Sequence, residues 1–287
     1  MTYRRRATAL HAARAAAGLA YCLALALAAL LLSGPVALGA LALAVLGAAA
    51  VVGSRRELRR AVAFAAGLGL MVMLVNALVT RDGLTVIWRL GNLPVFGQTD
   101  VTLEATVYGA ILGLRAAVLV LCGFLYTVAV DPDEVLRLFR RVSFRSALTA
   151  TLSTRMVPIL LRDSRRLADA QRCRPGPPPS RLQLIQAATA GVLDRALDAA
   201  AALEVRGYGA GRAPAQARDP WSRHDLAFGG AAVLIAGLAI AGRASGWAPL
   251  NAYPALHAPV TPSQVALAAG LLTCALAPFA GRRGVEV

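Results

Sequence analysis

The stretch GALALAVLGAAAVVG, residues 39–53, contains no charged side chain and belongs to an apolar run that covers 36–53. A transmembrane helix needs about 20 mostly apolar residues, with about 17 as the practical minimum. The whole chain has this character, because 57% of its 287 residues are hydrophobic and only 16% are charged. Five further runs qualify: 15–32, 61–79, 105–130, 226–242 and 264–280. The sequence therefore predicts an all-α polytopic membrane protein with about six transmembrane helices.

The first apolar run follows the basic segment MTYRRR and is also compatible with a signal peptide. The next run begins after only Ser33, Gly34 and Pro35. Because so short a connection is typical of two adjacent spanning helices, we favour a helical hairpin at the N-terminus.

The distribution of arginine predicts the orientation of these helices. All 30 basic residues are arginine. With a cytoplasmic N-terminus, only Arg81, Arg89 and Arg243 fall on the outer side and Arg115 lies within a span, so nearly all positive charge is internal. This predicts a multi-pass protein of the inner or plasma membrane with both termini cytoplasmic. The net charge of +15 then reflects topology and contact with anionic membrane lipid, not binding of nucleic acid.

Several kinds of chemistry have no residues to support them. A P-loop needs a lysine for the phosphates, and Schiff-base catalysis needs a lysine amine, but the chain has no lysine. The four cysteines and three histidines show no metal-ligand spacing. We therefore expect no catalytic residue, no metal site and no bound cofactor, and any ATP hydrolysis must take place on another chain.

A polar segment, 131–224, separates the fourth predicted span from the fifth. The sequence thus divides into an N-terminal bundle of about four spans (1–130), this cytoplasmic segment, and about two C-terminal spans (225–287). DPDEVLRLFRRV, residues 131–142, predicts a short amphipathic helix with Asp131 as N-cap. A second helix should bend or restart at Pro158, and a third should cover 181–206.

The second and third of these helices both end on an arginine. ADAQRCRPG, residues 168–176, places Arg174 before a proline, and AALEVRGYGAGR, residues 201–212, places Arg206 before a glycine. A basic residue in the last helical turn complements the helix dipole, and glycine or proline is an ordinary stop signal. The repetition of this pattern on successive cytoplasmic helices favours a function beyond ending a helix.

These motifs resemble those of the transmembrane T component of energy-coupling factor (ECF) transporters, the CbiQ/EcfT family. That family carries two Ala-Arg-Gly-type motifs, each at the end of a cytoplasmic coupling helix. Cys173-Arg174-Pro175 resembles the first and Val205-Arg206-Gly207 the second. VTLEATVYGAILGLRAAVLVL (101–121), VDPDEVLRLF (130–139) and LSTRMVPILLRDSRRLADAQ (152–171) are similar to other family segments in the same order, so the resemblance covers roughly 60–210.

The resemblance implies a coupling subunit of an ATP-driven importer of a vitamin or a transition-metal ion. It implies three protein partners, namely two cytoplasmic ATPase subunits, which hold ATP and magnesium, and a small membrane substrate-binding S component. Arg174 and Arg206, with Cys173, Pro175, Val205 and Gly207 beside them, would form the ATPase-coupling motifs. The transported substrate would be selected by the S component.

Arg115 is the one charge within a predicted span. Charged residues in such positions often have a function in transport. The alternative is that its helix starts late, so that the side chain reaches the outer surface.

Two other functions remain open from the sequence. An integral membrane enzyme acting on lipid-linked substrates would need acids or histidines near the membrane, and the predicted spans are nearly free of both. A membrane scaffold that binds anionic lipid through its arginines would depend on the number of charges and not on their positions.

Overall fold

The computed structural model describes residues 6–80, 86–93, 97–139, 144–173, 181–205, 207, 221–246 and 261–281. Within them the chain forms ten α-helices and one β hairpin, in the order α1 (Ala9–Ala12), α2 (Ala15–Leu31), α3 (Pro35–Val52), α4 (Arg55–Val79), β1 (Val86–Leu93), β2 (Gly97–Thr102), α5 (Leu103–Ala129), α6 (Pro132–Phe139), α7 (Phe144–Arg172), α8 (Arg181–Val205), α9 (Arg223–Ala244) and α10 (Pro262–Leu276). A short 3₁₀ turn, Ala277–Ala280, follows α10.

Each of the six predicted apolar runs coincides with a helix. By length and composition α3, α4, α5, α9 and the continuous stretch Pro262–Ala280 can cross a membrane, while α2 is apolar but has only 17 residues. The predicted all-α polytopic membrane fold is confirmed, with one addition that was not predicted. An antiparallel hairpin joins α4 to α5, with Val86 opposite Thr102 and Leu93 opposite Gly97.

Local sequence signals explain where several helices begin. The Ser54 hydroxyl accepts a hydrogen bond from the Glu57 amide, and the Glu57 carboxylate accepts one from the Ser54 amide, which completes a capping box at α4. Ser222 and Asp225 form the same arrangement at α9. Pro35 and Pro262 occupy the first turns of α3 and α10, where a missing N–H costs nothing.

The described chain separates into two compact units. The first comprises 1–135 and 221–287, and the second comprises 136–220. The first unit contains all six apolar helices, so it is the membrane bundle. The second contains α7 and α8.

The membrane bundle is built around α2, which packs against α3, α5 and α9. Small side chains on α2 and α3, among them Ala28, Ala44 and Ala48, are fully buried and allow close helix packing. Tyr21 of α2 lies edge-to-face with Phe228 and donates its hydroxyl proton to the Ala275 carbonyl at 2.7 Å. Buried aromatic hydroxyls need such a partner, so this bond fixes α2 against α10.

Helices α4 and α5 approach most closely at glycines. A Cβ atom added to Gly69 would lie 2.8 Å from the Gly113 carbonyl oxygen, and one added to Gly109 would lie 2.9 Å from the Met73 oxygen. Gly109 and Gly113 form a G-x-x-x-G pattern, which permits backbone contact between membrane helices. The Asn76 Oδ1 atom is buried at this crossing and accepts no hydrogen bond from the described residues.

One end of the bundle, named here the N-terminal face, collects the start of the chain and several helix termini. Arg6 donates to the Val52 carbonyl at the end of α3 and forms an ion pair with Glu57 near the start of α4. His11 Nε2 lies 3.2 Å from the Val128 carbonyl near the end of α5. Since a carbonyl only accepts, Nε2 carries the hydrogen. Successive helices α2 to α5 therefore alternate in direction.

The second unit consists of two long helices in contact. Helix α7 continues through Pro158, so the predicted restart at this residue does not occur. An ion pair between Asp163 of α7 and Arg195 of α8 joins the helices. Beside it lies an open groove of about 760 Å³ whose lining is mostly apolar and includes Leu160, Leu167 and Ala188.

Candidate functional site

The first arginine motif begins at the last turn of α7. The Cys173 amide donates a 3.2 Å hydrogen bond to the Asp169 carbonyl, so Cys173 continues the helical pattern by one residue. Its side chain is exposed and its thiol is free. Arg174 and Pro175 lie outside the described residues, so the structure places the start of this motif at an exposed helix end and no more.

The second motif begins at the last residue of α8. The Val205 side chain is 89% exposed, which is unusual for a large apolar residue. Gly207 has φ +75°, and its amide donates to the Glu204 carbonyl at 2.9 Å. A glycine with positive φ is the common way to end a helix, because other residues are strained there. Arg206 itself lies outside the described residues.

The Asp163–Arg195 ion pair provides a reference point between the two motif ends. Cys173 follows Asp163 by ten residues, and Val205 follows Arg195 by ten. At 1.5 Å per residue, each motif begins about 15 Å along its own helix from the ion pair. Ala170 of α7 and Ile185 of α8 both line the groove next to the ion pair. Because Ala170 follows the ion-pair residue of its helix and Ile185 precedes that of its own, the two helices run antiparallel. The two motif ends therefore extend away from each other.

The exposed surface of this unit is rich in large apolar side chains. Those more than half exposed are Val157 and Leu161 on α7 and Leu182, Ile185, Leu193, Leu197 and Val205 on α8. So many exposed large apolar side chains on a polar segment are typical of a contact surface for another protein or a membrane. Sequence reasoning did not single out these exposed residues, because the hydrophobic pattern alone does not show which apolar side chains remain uncovered.

Arg115, the predicted intramembrane candidate, lies in the middle of α5. Its Nη2 atom donates to the Leu32 carbonyl at 3.0 Å and to the Ser33 hydroxyl oxygen at 3.3 Å. Leu32 is the C-cap of α2. The guanidinium therefore satisfies an otherwise free carbonyl and places positive charge at the negative end of the helix dipole. The structure gives Arg115 a structural partner, and a function in transport remains a prediction.

Two carboxylates that sequence reasoning did not select meet at the N-terminal face. Asp225 of α9 accepts a hydrogen bond from the Arg14 amide at 2.7 Å, and Glu134 of α6 accepts one from the Ala15 amide at 3.1 Å. Ser222-Arg-His-Asp225 has the spacing of a capping box, so its local role was visible in the sequence. The second contact of Asp225, with the Arg14 amide 211 residues earlier in the chain, could not be predicted from the sequence.

The described residues contain no group of three or more histidine, cysteine, aspartate or glutamate side chains that could hold a metal ion. The expectation that the chain binds no cofactor therefore stays an expectation. In the described part of the chain, both arginine motifs begin at exposed helix ends.

A known family matches most of the chain. Residues 6–216 match the family CbiQ, described as cobalt transport protein. The match begins before α1, covers the bundle helices α2 to α5, and extends beyond α8, so it includes both arginine motifs. No curated protein matches the chain. Because the match covers well over half of the 287 residues, the chain belongs to the CbiQ family of cobalt transport proteins, the family of the ECF transporter T component.

Proposed function

We propose that this chain is the coupling subunit of an ATP-driven ECF importer. In this function it joins two ATPase subunits to a small membrane S component that binds the substrate. ATP and magnesium are bound by the ATPases, and the substrate, a transition-metal ion or a vitamin, is bound by the S component. The chain itself transmits movement and catalyses no reaction.

The observation that carries the proposal is that the two motifs begin at the C-terminal ends of two antiparallel helices, α7 and α8. Both begin at exposed residues, Cys173 and Val205, and each lies about 15 Å from the Asp163–Arg195 ion pair along its helix. Ends that extend in opposing directions suit contact with two separate subunits. The family match includes both motifs, which supports assigning this function to Arg174 and Arg206.

An arginine suits such a contact for chemical reasons. Its planar guanidinium presents five N–H donors, which can pair in a bidentate manner with carboxylates and backbone carbonyls of a groove. In the proposed mechanism each arginine docks into one ATPase. When the ATPases close on ATP, the ends of α7 and α8 are drawn together. The resulting movement of the two helices tilts the S component between the two faces of the membrane.

The apolar groove between α7 and α8 is the candidate contact surface for the third partner, the S component. Its lining is mostly apolar. A small membrane protein has apolar outer surfaces that match this character. We assign this groove, whose lining includes the exposed Leu161 and Ile185, to the S component.

The first experiment is purification of the tagged chain from its native membrane in mild detergent, with identification of the proteins that accompany it. We expect two soluble ATPases with Walker motifs and one small membrane protein. Recovery of the chain alone, or with lipid-processing enzymes, would contradict the proposal and favour the alternative of a membrane enzyme.

A mutational test separates position from charge. Arg174→Ala and Arg206→Ala should each reduce ATP-driven uptake by more than about tenfold, because an interface arginine of this kind contributes on the order of 2 kcal/mol or more. Arg140→Ala removes the same charge outside the motifs and should leave uptake within about twofold of the unaltered protein. Equal losses in all three variants would instead favour a scaffold that binds anionic lipid through total charge.

A further inference from the structure

An ion pair links the two helices that carry the arginine motifs. The Nη2 atom of Arg195 on α8 faces the Oδ2 atom of Asp163 on α7, and this oxygen is shielded from solvent. The two side chains are otherwise only partly exposed, at 38% and 29%. Solvent and salt therefore screen this pair less than a pair on an open surface.

Apolar packing between α7 and α8 is slight in comparison. The interface of these helices is much smaller than that between α4 and α5. Leu161 and Ile185, which line the groove with the ion pair, are more than half exposed and are not locked between the helices. Interlocked rows of side chains are what fixes the crossing angle of two helices. Here that constraint is weak, so the angle between α7 and α8 can change at low cost.

The ion pair divides the two helices into matching arms. Asp163 lies ten residues before Cys173, and Arg195 lies ten residues before Val205. Because the helices are antiparallel, the two arms point in opposite directions from the pair. Each arm is about 15 Å long, so a rotation of about 10° around the ion pair moves a motif end by roughly 2.6 Å.

We propose that Asp163 and Arg195 are positioning residues whose ion pair is the pivot between α7 and α8. The pair holds the helices together at one point while their ends are drawn towards each other by the ATPases. Without it, each helix would follow its own ATPase separately and the movement of one would not be passed to the other. This inference rests on the proposed coupling function and adds a site that lies away from the arginine motifs.

The chemistry of the pair suits a contact that has to survive rotation. A guanidinium has five N–H donors and a carboxylate has two acceptor oxygens, so one pairing can replace another as the angle changes. Interlocked apolar side chains would instead have to separate before the helices could turn.

A pair that only stabilises the segment and a pair that transmits movement differ in one measurable quantity. Loss of folded protein lowers ATP hydrolysis and substrate uptake together. Loss of transmission lowers the uptake for each ATP hydrolysed and leaves hydrolysis largely intact. The coupling ratio, measured as substrate imported per ATP, therefore tests the pivot.

The experiment uses the whole complex in proteoliposomes and compares the unaltered chain with Asp163→Arg, Arg195→Asp and the double variant that carries both changes. Each single variant places two like charges opposite each other and should lower the coupling ratio by about fivefold or more. The double variant rebuilds the pair with the same combined side-chain length. It should return the ratio to within about twofold of the unaltered chain. Asp198 is exposed on α8, so Asp198→Arg, the matched control, should leave the ratio unchanged.

The other outcomes overturn the pivot. It is wrong if both single variants keep the normal ratio, if uptake and hydrolysis fall in proportion, or if the double variant is no better than the single ones. If the charge reversals do not accumulate in the membrane, Asp163→Asn decides alone, because it removes the pair without opposing two like charges, and a normal ratio in it refutes the pivot. An unaltered complex without ATP-driven uptake would refute the coupling function itself, whereas an active complex with unchanged variants would refute only the pivot.

Discussion

At the scale of single residues, Arg115 shows how a charge is accommodated within a membrane helix. Its guanidinium reaches the Leu32 carbonyl and the Ser33 hydroxyl, at the end of α2 opposite to Glu134 and Asp225. Negative side chains thus lie at the N-terminus of α2 and a positive one at its C-terminus, as the helix dipole favours. The helix itself contains no charged residue.

Substitution of Arg115 distinguishes this structural role from a role in transport. Arg115→Ala removes the partner of a helix-terminal carbonyl and should lower the stability of the folded bundle by about 1–3 kcal/mol. Thermal unfolding in detergent measures this loss. Arg243→Ala, at an exposed position in the last turn of α9, is the control and should change stability by less than about 0.5 kcal/mol.

The opposite pattern would be equally informative. An Arg115→Ala protein of normal stability that no longer supports uptake would mean that the arginine acts in transport. In that case the contacts with Leu32 and Ser33 would be incidental to its function.

The sequence identified Arg115 as exceptional but could not identify its partner. The partner is a backbone carbonyl 83 positions earlier, and every residue has such a carbonyl. The same limit applies to Asp225, since its contact is with the backbone of Arg14. By contrast, the helix stop at Gly207 was predictable, because the conformational requirement is local and glycine meets it best.

At the scale of elements, the α4–α5 pair depends on glycine at its crossing. The G-x-x-x-G pattern of Gly109 and Gly113 is visible in the sequence, but many other stretches of small residues surround it. In so alanine-rich a chain such patterns do not indicate which helices meet. The β hairpin was not predicted either, since it lies between two long helical signals that dominate this part of the sequence.

A pair of glycine substitutions tests this crossing. Gly113→Ala should lower the stability of the bundle by about 1–3 kcal/mol, because the added methyl group overlaps the Gly69 carbonyl and must separate the helices. Gly67→Ala meets no atom within 4 Å and is the control. It should be neutral or slightly stabilising, because alanine favours helix by about 1 kcal/mol.

Both variants can be compared by denaturant or thermal unfolding of the purified chain. Equal effects at the two positions would show that α4 and α5 are not in close backbone contact at Gly113.

At the scale of the whole molecule, the chain divides into a membrane bundle and a segment inserted between two of its helices. The apolar runs were sufficient to predict the helices of the bundle, because they depend on composition over tens of residues. The cytoplasmic location of the inserted segment, which rests on the distribution of arginine, stays a prediction. Glu134 and Asp225, which flank the inserted segment, accept hydrogen bonds from consecutive amides at the start of α2. The parts of the bundle on either side of the inserted segment therefore lie close together.

This proximity predicts that the bundle tolerates removal of the insertion. Replacing 137–220 with about ten glycine and serine residues should leave a chain that still inserts into the membrane, because such a linker spans roughly 18 Å. The same chain should no longer co-purify with the ATPases. The test is membrane fractionation followed by affinity purification, with the full-length chain in parallel. A shortened chain that fails to insert, or that still retains the ATPases, would contradict this division of roles.

The short length of α2 has a consequence for the surrounding lipid. Its 17 residues rise about 25 Å, whereas the hydrocarbon layer of a bilayer is about 30 Å thick. Leu23 and Leu30 are exposed on its surface, so acyl chains cover this side of the helix. The neighbouring α5 has 27 residues and rises about 40 Å. Where α2 faces lipid, its hydrophobic length is therefore shorter than that of the helix beside it, a mismatch that local thinning of the bilayer would relieve.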